Sequence, residues 1–230
     1  MKLSGRSEPG PTSVWREKPW YETGASRRFE MAEYERLKRA VDLIICIVAI
    51  VPVLVLLAIC GVVIKLDSPG EVWFMQERTG KGGRRFRMFK LRTMVHNAAE
   101  LKVQYMHLNE LSYPDFKITN DPRVTRCGRI LRRLSLDELP QIFNVIRGDM
   151  TLVGPRPTSF APETYSLWHT ARLDVKPGLT GLWQVEGRSA LDFDARLRLD
   201  IAYIRNRCPW LDARILVRTV TAVTSGRGAA

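Results

Sequence analysis

The sequence predicts an α+β fold, mostly helical, with a re-entrant N-terminal membrane helix, a small β-hairpin and amphipathic interfacial helices. Three observations predict it. A single uncharged apolar run, Leu43–Ile64, stands near the N-terminus, two β-prone stretches flank a glycine-rich turn soon after it, and the C-terminal half carries apolar residues at helical spacing. With 230 residues and 45% hydrophobic content the chain can bury one sizeable core. It divides into a disordered tail (1–28), a juxtamembrane and membrane segment (29–66) and a cytosol-facing domain (67–230) that holds the chemistry.

The tail is polar and rich in Pro and Gly, a composition that cannot bury enough apolar surface to order itself. From Phe29 to Lys38, the apolar residues Phe29, Tyr34 and Leu37 alternate with charges, as in a juxtamembrane helix. The run Leu43–Ile64 is long enough to cross a hydrocarbon layer of about 30 Å. Its flanks object to a straight span. Arg36, Lys38 and Arg39 precede it, and Lys65, Arg78, Lys81, Arg84, Arg85, Arg87, Lys90 and Arg92 follow, so the positive-inside rule wants both ends in the cytoplasm. Pro52, near the middle, favours a kink. A helix that bends there and returns satisfies both flanks and is favoured; a plain kinked span is the alternative. Asp42 is expected at the interface, paired with Lys38 or Arg39 rather than in chemistry.

The stretches VWFMQ and RFRMF around Gly80-Lys81-Gly82-Gly83 read as a hairpin. The turn is no P-loop, because GK[ST] at the required spacing is absent. Within 128–148, Ile130, Leu134, Ile142, Phe143 and Ile146 are candidates for a buried helical face, Ser135 with Glu138 resembles a capping box, and Gly148 is a helix stop. Pro140 forces either a bend or a helix that begins near it. Phe193, Leu197, Ile201 and Ile204 mark an amphipathic helix. The segment from Trp210 to Val223 reads as a helix lying flat in the membrane interface or as a packed terminal helix.

A net charge of +12 and a pI near 10 call for a polyanionic partner: nucleic acid, an anionic membrane or phosphorylated substrates. No recognisable nucleic-acid-binding motif accompanies the charge, which argues against the first. Cys46, Cys60, Cys127 and Cys208 lack CxxC spacing, so neither a zinc site nor a disulfide framework is expected.

Asp137 and Glu138 are adjacent acids near an expected helix start, able to bind a hard divalent cation or to attack phosphorus. Arg126, Arg129, Arg132 and Arg133 crowd the segment before them, and Pro155-Arg156-Pro157 is a stiff stretch that fixes Arg156. Phosphoryl transfer asks little of a protein beyond positioning and charge stabilisation, and this set supplies both. Acids among arginines are most often plain surface ion pairs, a reading that the stiff loop and the membrane segment outweigh.

Longer motifs carry a resemblance. They are Lys38-Arg39-x-x-Asp42, Gln76-x-Arg78-x-Gly80, Phe89-Lys90-Leu91-Arg92-Thr93-Met94, Leu134-Ser135-Leu136-Asp137-Glu138-Leu139-Pro140-Gln141, Asn144-Val145, the run from Gly148 to Pro157, the run from Pro177 to Val185, Gly187-Arg188 and Asp200-x-x-Tyr203. In this order the sequence resembles the monotopic phosphoglycosyl transferases, the bacterial sugar transferase family acting on polyprenyl phosphates. The resemblance implies a re-entrant helix and a cytoplasmic-face active site at the bacterial inner membrane. It also implies transfer of a hexose-1-phosphate from a UDP-sugar to undecaprenyl phosphate with release of UMP, priming exopolysaccharide or O-antigen synthesis. Asp137 would be the nucleophile, Glu138 its catalytic partner, and both would hold Mg²⁺. Arg132, Arg156 and Lys90 or Arg92 would hold phosphates, with Gln184 and Arg188 also on the substrate. Implied partners are the UDP-sugar, polyprenyl phosphate, membrane lipids and a second copy in a homodimer, with no nucleic acid. Many members carry Ser-Pro at the bend where this chain has Val51-Pro52. The alternative function is a non-catalytic membrane scaffold for polysaccharide assembly.

Overall fold

The computed structural model describes residues 20–21, 30–110, 118–159, 167–186 and 191–224. The juxtamembrane segment and the apolar run form one helix, α1 (Met31–Asp67), of 37 residues, on the order of 55 Å of helix. It continues as helix on both sides of Pro52. Among the described residues it alone is long and apolar enough to cross a membrane. Strands β1 (Trp73–Thr79) and β2 (Arg85–Leu91) pair antiparallel from Trp73↔Leu91 to Thr79↔Arg85, two or three residues beyond the expected hairpin at the turn end of β1 and the far end of β2. The turn works because Gly82 and Gly83 take positive φ, 63° and 78°, which a side chain would resist.

Short helices follow. They are α2 (Ala98–Gln104), α3 (Arg126–Arg133) and α4 (Gln141–Arg147), the last two separated by a left-handed residue, Ser135, and a 3₁₀ turn over Leu136–Glu138. Strands β3 (Thr151–Val153) and β4 (Gly178–Thr180) pair in parallel, and α5 (Leu182–Glu186), α6 (Phe193–Asn206) and α7 (Pro209–Thr224) close the chain.

Two expectations for 128–148 are corrected. Ser135 makes no side-chain cap bond, because with φ 56° it sits where the chain turns back, and Glu138 reaches Arg156 and Lys90 instead. Ile130, Leu134 and Ile146 are exposed rather than buried. The break at Ser135 resets the helical phase, so Leu131, Ile142 and Val145 face inward. Gly148 does stop α4, with φ 86° and its N–H on the Val145 carbonyl.

One face of α1 packs along the domain while the other carries Ile44, Ile47, Val48, Val51, Val55, Ile59, Val62 and Leu66 exposed. Cys46, with Ala49, Ile50 and Val53 beside it, joins the core of Met88, Val145, Met150, Leu182 and Ile215, and Leu57, Cys60 and Ile64 join Leu91, Cys127 and Leu131. Both ends are also tied by polar contacts. At the first, Arg39 donates to the carbonyls of Val145 (2.6 Å) and Ile146 (2.9 Å), and Lys38 pairs with Asp212 at 2.7 Å. At the second, Asp67 accepts the Cys127 N–H (3.0 Å) at the start of α3. Asp42 pairs with neither Lys38 nor Arg39: it accepts the Thr151 hydroxyl and the Leu152 N–H on β3, because those cations are engaged elsewhere. All four cysteines are free thiols.

Within the predicted tail, Trp20 and Tyr21 form a turn packed against the core, with Arg218 and Arg214 guanidinium carbons 3.9 and 4.9 Å from the Trp20 ring centroid. The rest of 1–28 lies outside the described residues. On α7, Leu211 and Ile215 are buried while Trp210, Val217 and Val220 form an exposed apolar stripe. On α6, Leu197 and Tyr203 are the buried apolar positions, and Phe193, Ile201 and Ile204 are half-buried.

Fully buried Asn144 fastens β2 to α4. Its side chain accepts the Phe89 N–H (3.0 Å) and donates to the Arg87 carbonyl (2.8 Å), and its own carbonyl accepts the N–H groups of Asp149 and Met150. Asn144→Ala leaves two strand groups unsatisfied and is expected to cost about 3 kcal/mol of stability. A thermal unfolding midpoint within a degree of the parent protein would contradict this.

Candidate active site

Three segments meet at one carboxylate. The 3₁₀ turn after α3 presents Asp137 and Glu138, β2 presents Lys90, and the Pro155-Arg156-Pro157 loop after β3 presents Arg156. Glu138 accepts from Arg156 in a forked pair, Nη1 to Oε2 at 3.0 Å and Nη2 to Oε1, while Lys90 Nζ reaches the same Oε1 at 3.0 Å. Lys90 also stands 3.7 Å from Asp137 Oδ2. These are charge-assisted contacts at partly buried groups, where screening by water is weak.

The adjacent acids are pushed apart electrostatically. Burial raises the Asp137 carboxyl above the ordinary range, opposed chiefly by Lys90 and reinforced by the Glu138 charge. Burial would raise Glu138 as well, but Arg156 and Lys90 outweigh it and hold that carboxyl well below its usual value. Glu138 is therefore a fixed anion, whereas Asp137 titrates nearer to neutrality.

The backbone around Arg156 is held on several sides. The Pro155 carbonyl accepts the Gly178 N–H (2.8 Å), the Arg156 carbonyl accepts from Arg172 (2.5 Å), and the Thr158 carbonyl accepts the Thr79 N–H (2.9 Å). Arg172 is itself paired with Asp200 at 2.7 Å, and burial, only partly offset by Arg172, pushes the Asp200 carboxyl up to about 6. Close approach of backbones is part of this frame: a Cβ on Gly178 would lie 2.1 Å from the Gly154 nitrogen.

Arg132 donates to the Thr93 hydroxyl at 2.9 Å and lies within electrostatic reach of Asp137. Arg126, Arg129 and Arg133 face solvent, so of that cluster Arg132 is the member on the cavity wall. Arg92, also expected on phosphate, spends its terminal nitrogens on the Ser68 (2.8 Å) and Pro69 carbonyls; of the pair Lys90 and Arg92, Lys90 touches the acids. Gln184 on α5 lines the same cavity, and Arg188 lies outside the described residues. Arg172 and Asp200 were not assigned a role from sequence. Asp200 sits in a recognisable motif, but its link to Arg156 crosses elements far apart in the chain, and no spacing encodes that.

The dyad opens onto a cavity of about 1870 Å³. Its lining combines polar groups, among them Lys90, Arg132, Asp137, Glu138 and Arg156, with apolar ones, among them Ile45, Ala49 and Val53 of α1 and Leu216 and Val220 of α7. Such a site can hold a charged group of several oxygens beside an aliphatic chain. Asp137 and Glu138 are the hard oxygen donors that Mg²⁺ takes, one or two carboxylates being enough when phosphate and water complete the shell. Among the described residues no cluster of three or more His, Cys, Asp or Glu could hold a metal without such help.

Comparison with known proteins gives a consistent picture. A family model described as bacterial sugar transferase matches residues 33–226. The chain is 36% identical to exopolysaccharide production protein ExoY of Rhizobium meliloti (strain 1021), covering 99% of each. It is 41% identical to galactosyl transferase CpsE of Streptococcus agalactiae over 75% of this chain and 40% of that protein. It is 39% identical to undecaprenyl-phosphate galactose phosphotransferase of Salmonella typhimurium over 84% of this chain and 41% of that one. The chain thus spans about two-fifths of the length of several relatives it matches. A family match running from the first turns of α1 into the end of α7, together with relatives above 30% identity, shows that the chain belongs to the bacterial sugar transferase family.

Proposed function

We propose that the chain transfers a hexose-1-phosphate from a UDP-sugar to undecaprenyl phosphate, releasing UMP, as the priming step of exopolysaccharide or O-antigen synthesis. The observation that carries this reading is the Asp137–Glu138 pair in contact with Lys90 and Arg156, with Arg132 near Asp137, in a cavity that also has apolar lining from α1 and α7. Relatives named for undecaprenyl-phosphate galactose or glucose phosphotransfer and for a UDP-galactose-lipid carrier transferase support the substrate class.

In the first step an oxygen of the Asp137 carboxylate attacks the phosphorus that bears the sugar. The bridging P–O bond breaks, UMP leaves with the bond's electron pair, and the sugar phosphate stays on Asp137 as an acyl phosphate. A phosphate oxygen of the lipid then attacks the same phosphorus and displaces the carboxylate, giving the lipid diphosphosugar. Arg156, Lys90 and Arg132 neutralise charge on the transferred group, and the bolted backbone of 155–158 keeps Arg156 in register. Mg²⁺, held by Asp137 and Glu138, would supply charge neutralisation at the diphosphate.

The chain sits at the cytoplasmic face of the bacterial inner membrane, and α1 re-enters rather than spans. Supporting re-entry, both basic ends of α1 are tied to one domain while its outer face offers an apolar stripe. With Glu33→Cys and Lys65→Cys in a background of Cys→Ser changes, an impermeant maleimide should label both positions in inverted vesicles and neither in right-side-out ones. Opposite labelling of the two would show a span.

The function is tested by incubating detergent-solubilised protein with Mg²⁺, undecaprenyl phosphate and a panel of UDP-sugars. One or a few donors should yield UMP, and Asp137→Asn should lower the rate by about 10³-fold or more. Normal polysaccharide assembly with that variant would favour a scaffold instead. A pH profile gives a second check. Protonated Asp137 cannot attack, so kcat/KM falls on acidification through its raised pKa, at higher pH than for an ordinary aspartate. Lys90→Met removes the main opposing charge and should move that acid limb to still higher pH. A limb that stays or moves down contradicts the electrostatics.

A further inference from the structure

The dyad as it stands presents a difficulty for a divalent cation. Every oxygen of Glu138 is engaged: Oε1 by Lys90 at 3.0 Å and by Arg156 Nη2, and Oε2 by Arg156 Nη1 at 3.0 Å. Counting Arg132, which lies within electrostatic reach of Asp137, three cations face two carboxylates and leave one positive charge in excess. A lone dication entering this site meets net repulsion and must displace a forked Arg pair, whereas a diphosphate meets attraction.

The guanidinium fork that grips a carboxylate matches two phosphate oxygens equally well. Arg156 can change partners by side-chain rotation alone, because its peptide is fixed through Arg172 and Gly178 and its side chain remains 28% accessible. Lys90 is a compact charge on a flexible stem and already stands between the two acids, 3.0 and 3.7 Å from them.

We propose that Arg156 and Lys90 lock Glu138 in the ligand-free enzyme, and that the diphosphate of an incoming nucleotide opens the lock by taking both cations, so that a divalent metal binds tightly only with the diphosphate present. This rests on the reading above that the site receives a nucleoside diphosphate, and adds an order to it. Metal and nucleotide then bind with reciprocal coupling: whatever factor UDP contributes to metal affinity, the metal returns to UDP. The lock also keeps a partly buried carboxylate neutralised between turnovers, when an unpaired charge there would be costly.

The test uses the full chain in detergent, Mn²⁺ as the probe read by EPR of the free ion, and UDP as an unreactive diphosphate. Mn²⁺ alone should bind the parent protein weakly, and saturating UDP should tighten it by about tenfold or more beyond what UDP achieves in buffer. The decisive arm needs no nucleotide. Lys90→Met removes half of the lock, and Mn²⁺ affinity should rise by about tenfold, a gain that Glu138→Gln in the same protein abolishes. Arg156→Met should act in the same direction and serves if Lys90→Met melts early. Unchanged or weaker Mn²⁺ binding in both single variants would overturn the lock. UDP binding, followed separately by equilibrium dialysis, isolates the other failure: no UDP binding overturns the functional reading, while the nucleotide-free arm still decides the lock.

Discussion

The neutralisation of one partly buried anion organises this molecule. Glu138 is held ionised by cations at hydrogen-bond distance, and those cations come from a strand and a loop outside its own turn. Meeting that condition fixes where β2 lies against the turn at 136–138 and how the loop at 155–157 approaches. The remaining polar contacts read as supports for the same convergence. Asn144 holds β2, Arg172 and Asp200 hold the loop from behind, and the hydrogen bond from Thr79 to Thr158 ties the hairpin to it.

A second buried network does for α1 what the first does for the acids. Tyr34 and Tyr203 both donate to Asp212, at 2.9 and 2.7 Å, and Lys38 pairs with the same carboxylate. The three elements α1, α6 and α7 are therefore joined at one point by groups that would each be costly if left alone. Asp42, bound to β3, and Asp67, bound to the start of α3, extend the attachment along the helix, so the apolar run belongs to the domain rather than being tethered to it.

Much of this was legible in the chain. The apolar run, the hairpin around Gly82 and Gly83 and the stop at Gly148 follow from local pattern, and motif resemblance singled out Asp137, Glu138, Arg156 and Lys90 or Arg92, though not which cation contacts which acid. What escaped was set by tertiary contact. Ser135 looks like a cap, yet the chain reverses there and the phase of the following apolar residues changes, exposing Ile130, Leu134 and Ile146. Arg92 lines the same cavity as the acids, yet its terminal nitrogens bond carbonyls just past the end of α1, a pairing that no spacing encodes. Charge type is written in a sequence, but the partner of each charge is decided by elements that arrive from elsewhere.

The shared packing of α1 has a consequence for truncation. Cys46, Leu57, Cys60 and Ile64 are core residues of the same body that holds the acids, while the opposite side of their helix is greasy and bare. Removing the first helix would strip those side chains from the core and leave Met88, Leu91, Leu131 and Val145 facing water, so a version trimmed of it is a broken half rather than a smaller stable domain.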